Sequence, residues 1–318
     1  MAASCSPLPY TGNKSCIADD LLAFMPPHMT YMEPCAGSAE IFFRKEPSQR
    51  EILNDYSNDI TNLYRTLQCN EKLELLIGRL CLSVGAEQLF KYNKELIMSI
   101  PNVLDDMKNT NKIVAVSSQD TLDAAADICV EHAAAFFENQ VYSFSSTGQT
   151  YGIEARDIAK RIDRLLAATA RLRNAAILHR DYKDAMLYAA GEDTFFLLDP
   201  PYRGTEGCYP KGNFDGEQHK QLFRLVSKID SKYNGRCKFI ITYNNDPYII
   251  EMAESFGFRT KVLERLHGMR QAVDPGAQYQ ELLIANFDMD AQAERNRGVI
   301  ISKANQLTLF GDIYGEED

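Results

Sequence analysis

The sequence predicts an α/β protein with a mainly parallel sheet, helices on both faces and one long helical insertion. Three observations carry this. Short apolar, strand-like runs alternate with amphipathic helical stretches along most of the chain, the pattern of a parallel sheet covered on both sides. The stretch between the second and third strand candidates, residues 72–138, is mainly helical and long enough to be a subdomain. Acidic residues stand at or just past strand ends: Glu33, Asp55, Asp181 and Asp199. In open α/β sheets that is where ligands bind.

Residues 13–24 read as a short amphipathic helix stopped by Pro26-Pro27. A strand at 28–32 leads into "EPCAGSAE" and a helix at 38–44; a strand at 51–53 leads into Asn54-Asp55 and a helix at 57–68. The insertion follows, with a polar break near 117–120. Residues 140–151 ("QVYSFSSTGQTY") are rich in Ser, Thr and Gly and read as a loop or small hairpin. A helix at 154–172 precedes strands at 175–178, 194–198, 238–242, 258–263 and 281–287. Helices at 181–190, 217–229 and 247–256 sit between most of them.

The chain has 318 residues, 45% hydrophobic and 25% charged, which suits a globular protein of one large or two modest domains. No apolar run approaches the ~20 residues that span a bilayer, and "MAASCSPLPYTGNK" does not read as a secretory signal. Eight scattered cysteines contain no CxxC and no zinc spacing. Reduced thiols, no metal and a cytoplasmic location are the expectation. The net charge of −10 argues against a generally basic nucleic-acid binder, yet residues 156–173 and 259–270 lean basic while acid crowds "GDIYGEED". Those basic stretches read either as solvated faces or as phosphate contacts.

The chemistry concentrates in "FFLLDPPY". Two prolines fix the backbone and remove two N–H donors, so Pro200 and Pro201 cannot continue a central strand. What remains is an acceptor array, the Asp199 carboxylate and a free backbone carbonyl, beside the flat face of Tyr202. An amino group on an aromatic ring suits it, with two acceptors for its two hydrogens. Gly37, in a tight strand-to-helix turn, allows a ligand close to the backbone. Asp55 reads either as an acceptor for ribose hydroxyls or as a helix cap, and Asp181 can cap its own helix. "GNKS" at residues 12–15 lacks the glycine spacing of a phosphate loop.

Together "PYTGNKS", "MEPCAGSAEIFF", "ILNDYSNDITNLY", "HRDYKDAM", "DPPY", "YNNDPYI" and "ELLIANF" resemble, in order, the motifs of the Dam-like (D12 class) DNA adenine-N6 methyltransferases. The resemblance covers most of residues 7–287. It implies a Rossmann-like, S-adenosylmethionine-dependent methyltransferase sheet with a largely helical target-recognition insertion. The catalytic domain would comprise residues 1–68 and 154–290, the insertion 69–153, and a flexible tail 291–318. Cofactor contacts would come from Tyr10, Lys14, Glu33, Pro34, Ala36, Gly37, Ser38, Asp55, Asp181 and Tyr182. Asp199, Pro200, Pro201 and Tyr202 would hold the N6 amine of an adenine flipped out of duplex DNA. Ser143, Ser145, Ser146, Thr147, Gln149, Tyr151 and Arg203 are the candidate DNA contacts, or else part of a solvated polar loop. The loop departs from the segment associated with GATC-specific members, which puts that target in doubt.

"NQLTLF" is apolar within an otherwise polar end. It resembles the short peptide that docks bacterial proteins on the replicative sliding clamp, with Gln306, Leu307, Leu309 and Phe310 as anchors; a terminal strand is the other reading. The resemblance also implies a bacterial or phage-encoded monomer or weak dimer. Restriction-modification, orphan and phage-borne settings all suit it. A protein-glutamine methyltransferase presents the same kind of NH2 group to a related tetrapeptide. A non-catalytic DNA-binding module would have no need of an intact acceptor array beside an intact cofactor turn.

Overall fold

The computed structural model describes residues 5–99, 119–152, 158–204, 214–266 and 278–298. Strands β1 (Thr30–Glu33), β2 (Arg50–Asn54), β3 (Ala175–Leu178), β4 (Thr194–Leu198), β5 (Lys238–Asn244), β6 (Arg259–Leu266) and β7 (Gln278–Ala285) form one sheet in the order β3-β2-β1-β4-β5-β7-β6. The first five are mutually parallel. β7 inserts antiparallel between β5 and β6.

The continuous apolar runs are explained by burial on both faces. In β4, Phe195 and Leu197 enter one core and Phe196 and Leu198 the other, because successive side chains leave a strand on opposite sides. Helices α1 (Ala18–Phe24), α2 (Glu40–Arg44) and α3 (Asn58–Gln68) join the first core. The insertion then supplies α4 (Asn70–Cys81), α5 (Glu87–Ser99) and α6 (Gln119–Tyr142), and α7 (Ala159–Leu172) returns the chain to the sheet. Helices α8 (Tyr182–Ala189), α9 (Gly216–Lys232) and α10 (Pro247–Ser255) cover the other face. Each of these three starts on an aspartate, Asp181, Asp215 or Asp246, whose side chain accepts a backbone N–H of the first turn.

The insertion is bolted to α3 by polar contacts under the apolar ones. Asn62 donates to the Cys129 carbonyl (2.8 Å) and to His132 Nδ1 (3.1 Å). That leaves His132 Nε2 to face Asp59 at 3.1 Å. Helix α6 runs on through Tyr142, beyond the loop start expected at Gln140, and it includes Gln119 and Asp120, where a break was expected. The remainder of that expected break lies outside the described residues.

A second polar cluster sits beneath α2. Lys45 Nζ meets Glu51 Oε1 at 2.6 Å, Arg171 Nη2 donates to the same oxygen at 2.8 Å, and Arg171 Nη1 bonds Glu51 Oε2. Lys45 and Glu51 are both buried.

The flexible tail expected from residue 291 begins instead as helix α11, residues 289–298. Met289 and Ala293 are buried, and the Asn296 amide donates to the carbonyls of Ala23 and Met25. The C-terminal residues 299–318, Gln306, Leu307, Leu309 and Phe310 among them, lie outside the described residues. Among the described residues no helix is long and apolar enough to cross a membrane.

Candidate active site

β1 and β4 are paired neighbours, but the chain leaves β1 toward β2 on one side and β4 toward β5 on the other. Such a reversal opens a crevice beyond the strands' carboxyl ends. A cavity of about 670 Å³ lies here, a suitable size for a small-molecule ligand. Tyr10, Lys14, Glu33, Pro34, Ala36, Gly37, Ser38, Asp55, Asp181, Tyr182, Asp199 and Pro201 all line it.

The glycine turn forms one wall. Gly37 has φ +48°, and a Cβ there would lie 3.6 Å from the Tyr10 ring. Glycine adopts this backbone without the steric penalty other residues incur. The turn is held from three directions. Gly37 N–H donates to Asp55 Oδ2 (2.9 Å), the Gly37 carbonyl accepts the Tyr64 hydroxyl (2.8 Å), and Ala36 N–H donates to the Asn54 carbonyl (2.8 Å). Asp55 Oδ1 accepts Ser57 N–H at 2.8 Å. Asp55 therefore clasps the turn to the start of α3, where Ser57, not Asp55, occupies the N-cap position. Burial raises the Asp55 pKa, against the two N–H donors.

Glu33 ends β1, only 4% exposed. Its Oε1 accepts both the Tyr31 hydroxyl (2.7 Å) and Phe42 N–H (2.9 Å). Burial pushes its carboxyl up to about 8, against those two hydrogen bonds. A group whose folded pKa exceeds its unfolded one favours folding most when protonated. Wild-type stability relative to Glu33→Gln is therefore full below about pH 4.5 and is lost as pH rises toward about 8. Melting temperatures of both proteins across that window check this; parallel profiles would mean Glu33 is not a buried acid.

Asp199 directly follows β4, with both oxygens engaged. Thr242 Oγ1 donates to Oδ1 at 2.7 Å, and the Lys14 ammonium lies 2.6 Å from Oδ2. Lys14, expected among the cofactor contacts, is thus placed on the catalytic candidate. Pro200 is buried. The Tyr202 hydroxyl donates to Glu281, and its ring packs 5.7 Å from that of Tyr243. Burial, with Asp199 and Glu281 nearby, pushes its pKa well up, so it remains a donor. Asp181 caps α8, and Tyr182 packs against Phe214 at 5.6 Å.

The serine-rich loop is closed across its base. Ser143 and Tyr151 form an isolated antiparallel bridge, and Thr147, Gly148 and Gln149 line the same cavity as Gly37 and Asp199. Thr11 Oγ1 lies 3.1 Å from the carbonyls of both Ser145 and Ser146, which have positive φ. Two expected DNA contacts are used internally. Ser143 is fully buried, accepting Gly148 N–H and donating to the Gln140 carbonyl. The Tyr151 hydroxyl donates to the Gly85 carbonyl, and its ring meets Phe90. Arg203 pairs with Asp246 at 3.0 Å and lies over the Tyr248 ring. Gln149 is exposed.

Sequence reasoning gave no role to Tyr31, Thr242 or Glu281, which bond the site's carboxylates and Tyr202, nor to the α6 residues Phe136, Asn139 and Gln140, which line the cavity. Glu281 alone left a signal: like Asp199, it is a lone carboxylate bordering an apolar strand run, "ELLIANF".

The fold and this site define a ligand-binding enzyme domain built at a sheet's switch point. The chain belongs to the D12 class N6 adenine-specific DNA methyltransferases, whose family model matches residues 10–269. It is similar to a DNA N-6-adenine-methyltransferase of Escherichia phage P1, 26% identical over 266 residues. The match covers 80% of this chain and 32% of the phage protein, so the chain corresponds to about a third of that relative.

Proposed function

We propose that this protein transfers a methyl group from S-adenosylmethionine to N6 of an adenine flipped out of duplex DNA. The observation that carries the reading is Asp199-Pro-Pro-Tyr at the switch point, with the Asp199 carboxylate and the Gly37 turn facing one cavity. The cofactor fits that cavity. Gly37 allows close backbone approach, and Glu33, Asp55, Asp181 and Tyr182 offer acceptors and a ring for its hydroxyls, ammonium and adenine. Bound there, it supplies a methyl group activated on a sulfonium.

The residues of the chain supply positioning and electrostatics. The adenine amine is a poor nucleophile because its lone pair is delocalised into the purine. Bonds from N6–H to Asp199 and to the Pro200 carbonyl favour a more tetrahedral nitrogen with a localised lone pair. Deprotonation first is unnecessary. One N–H proton leaves toward Asp199 as the nitrogen gains its methyl. Tyr202 offers a face for the flipped base, worth ~1–3 kcal/mol by analogy with base–aromatic stacking elsewhere. Ser145, Ser146, Thr147, Gln149 and Arg203 are proposed to meet the DNA around the cavity mouth, with phosphate contacts from the basic stretches. Binding should then weaken steeply with salt despite the net charge of −10.

The test is methyl transfer from labelled S-adenosylmethionine to mixed genomic DNA, followed by nucleoside analysis. N6-methyladenine supports the reading; label appearing only in protein would replace it with the glutamine reading.

Gln306 to Phe310 is proposed as a sliding-clamp peptide, on its apolar pattern within a polar, acidic end. Leu309→Ala with Phe310→Ala should abolish capture on immobilised clamp and leave methylation of free DNA unchanged. Retained capture by the double variant would discard the motif.

A further inference from the structure

The two carboxylates nearest Lys14 have different duties. Asp199 must accept the target amine, yet in this structure its oxygens hold Thr242 and Lys14. The Lys14 ammonium has three donors. One meets the Gly12 carbonyl at 2.7 Å and one Asp199 at 2.6 Å. On another side, 3.7 Å away, stands Glu281 Oε1. Glu281 has no solvent exposure. It sits on β7 opposite Asn244 of β5, and it accepts the Tyr202 hydroxyl. Lys14 Nζ also lies 5.1 Å from the Tyr202 ring centre. The ammonium is thus suspended between two carboxylates and rests on the one the substrate needs.

We infer that Glu281 is a positioning residue that takes the Lys14 ammonium from Asp199 when the target amine arrives. In the free enzyme Lys14 holds the place of the amine; in the complex Glu281 holds Lys14. This rests on the adenine-methylation reading. The physical reason is that a buried ammonium cannot leave one carboxylate without another to receive it. A movement of about 1 Å brings 3.7 Å down to ordinary charge-assisted hydrogen-bond length. The exchange needs no net change of buried charge, because the cation stays in the site. It also keeps Asp199 satisfied until a base donates to it, so an exposed carboxylate does not capture water or a stray cation instead.

Glu281→Gln separates this role from support of Tyr202, since the amide oxygen still accepts the Tyr202 hydroxyl while the charge is gone. Lys14 then stays on Asp199. The single-turnover methyl-transfer rate at saturating DNA and cofactor should fall about 10²-fold, the scale of losing one preorganised electrostatic contact. Cofactor affinity should stay within a few-fold. The decisive measurement is the double-mutant cycle with Lys14→Met. Once the ammonium is absent, Glu281→Gln should cost nothing further. A full penalty persisting in the Lys14→Met background, or a Glu281→Gln enzyme as fast as wild type, overturns the inference. Should Glu281→Gln fail to fold, Glu281→Asp withdraws the charge from Lys14 and carries the same expectation through the same cycle. Wild-type enzyme that makes no N6-methyladenine would sink the function reading itself, a separate outcome.

Discussion

Asp199→Ala is expected to slow methyl transfer by about 10³-fold, the upper range for removing one preorganised polar partner at a reacting centre. In the proposed reaction the carboxylate is the acceptor toward which the amine's charge develops, and Thr242 orients it through a hydrogen bond of 2.7 Å. The glycine turn is held by Asp55, Tyr64 and Asn54, none of which hydrogen-bonds Asp199. Cofactor affinity should therefore change little. Asp199→Asn keeps one acceptor oxygen and the side-chain shape, so it should fall between wild type and Asp199→Ala. Single-turnover rates with labelled cofactor, alongside equilibrium cofactor binding, test both. An alanine variant within three-fold of wild type would remove Asp199 from the mechanism. Loss of cofactor binding in both variants would move it to the cofactor site.

Glu51→Ala is expected to destabilise the fold by about 3 kcal/mol, because it leaves the buried Lys45 ammonium and the half-buried Arg171 guanidinium without their counter-ion. Lys45 and Arg171 both converge on this carboxylate, and Ser48 N–H adds a hydrogen bond at 3.1 Å. Burial alone would raise the Glu51 pKa, but the hydrogen bonds from Arg171 and Lys45 outweigh it and hold the carboxyl below its ordinary value. Its contribution is therefore complete above the unfolded carboxylate pKa and fades as pH falls through the lower folded one. Urea unfolding at pH 7 gives the loss directly. The cluster also reaches the site, since the Lys45 ammonium lies 4.5 Å from the Tyr31 ring centre and Tyr31 holds Glu33. A Glu51→Ala protein as stable as wild type would mean that water solvates these cations in the folded state.

The parts of the site readable without a structure are those in which one residue type is chemically out of place in its own segment. Asp199 stands out because a fully apolar strand stops on it and two prolines follow. Glu33, Asp55 and Asp181 occupy corresponding strand ends. Gly37 lies in a turn whose φ of +48° side-chain-bearing residues rarely adopt. Each signal is local: strand alternation, proline's fixed φ and glycine's freedom act within a few residues. The helix cap at Asp181 is local in the same way.

The partners of those residues are not local. Thr242 and Glu281 reach the site because β5 lies beside β4 and β7 inserts antiparallel beside β5, and nothing in their own segments sets that order. Composition identified residues 140–151 as a loop or small hairpin, but where it packs involves contacts such as Thr11 with Ser145 and Ser146, more than 130 residues apart. Contact with the cavity, burial of Ser143 and diversion of Tyr151 to Gly85 all follow from that placement. Helix α11 likewise became helix where a tail was expected, since Met289 and Ala293 find a core and Asn296 finds two carbonyls of the α1 end. By itself, then, the sequence determined the sheet class, the carboxylates at its strand ends and the rigid Asp-Pro-Pro-Tyr segment, because backbone sterics and side-chain alternation are properties of short segments. Only the tertiary structure decided which cation rests on Asp199, which second carboxylate lies near that cation and which loop residues remain exposed. Those choices depend on pairings between strands and loops distant in the chain, and each of them places a charge or a hydrogen bond in a buried site.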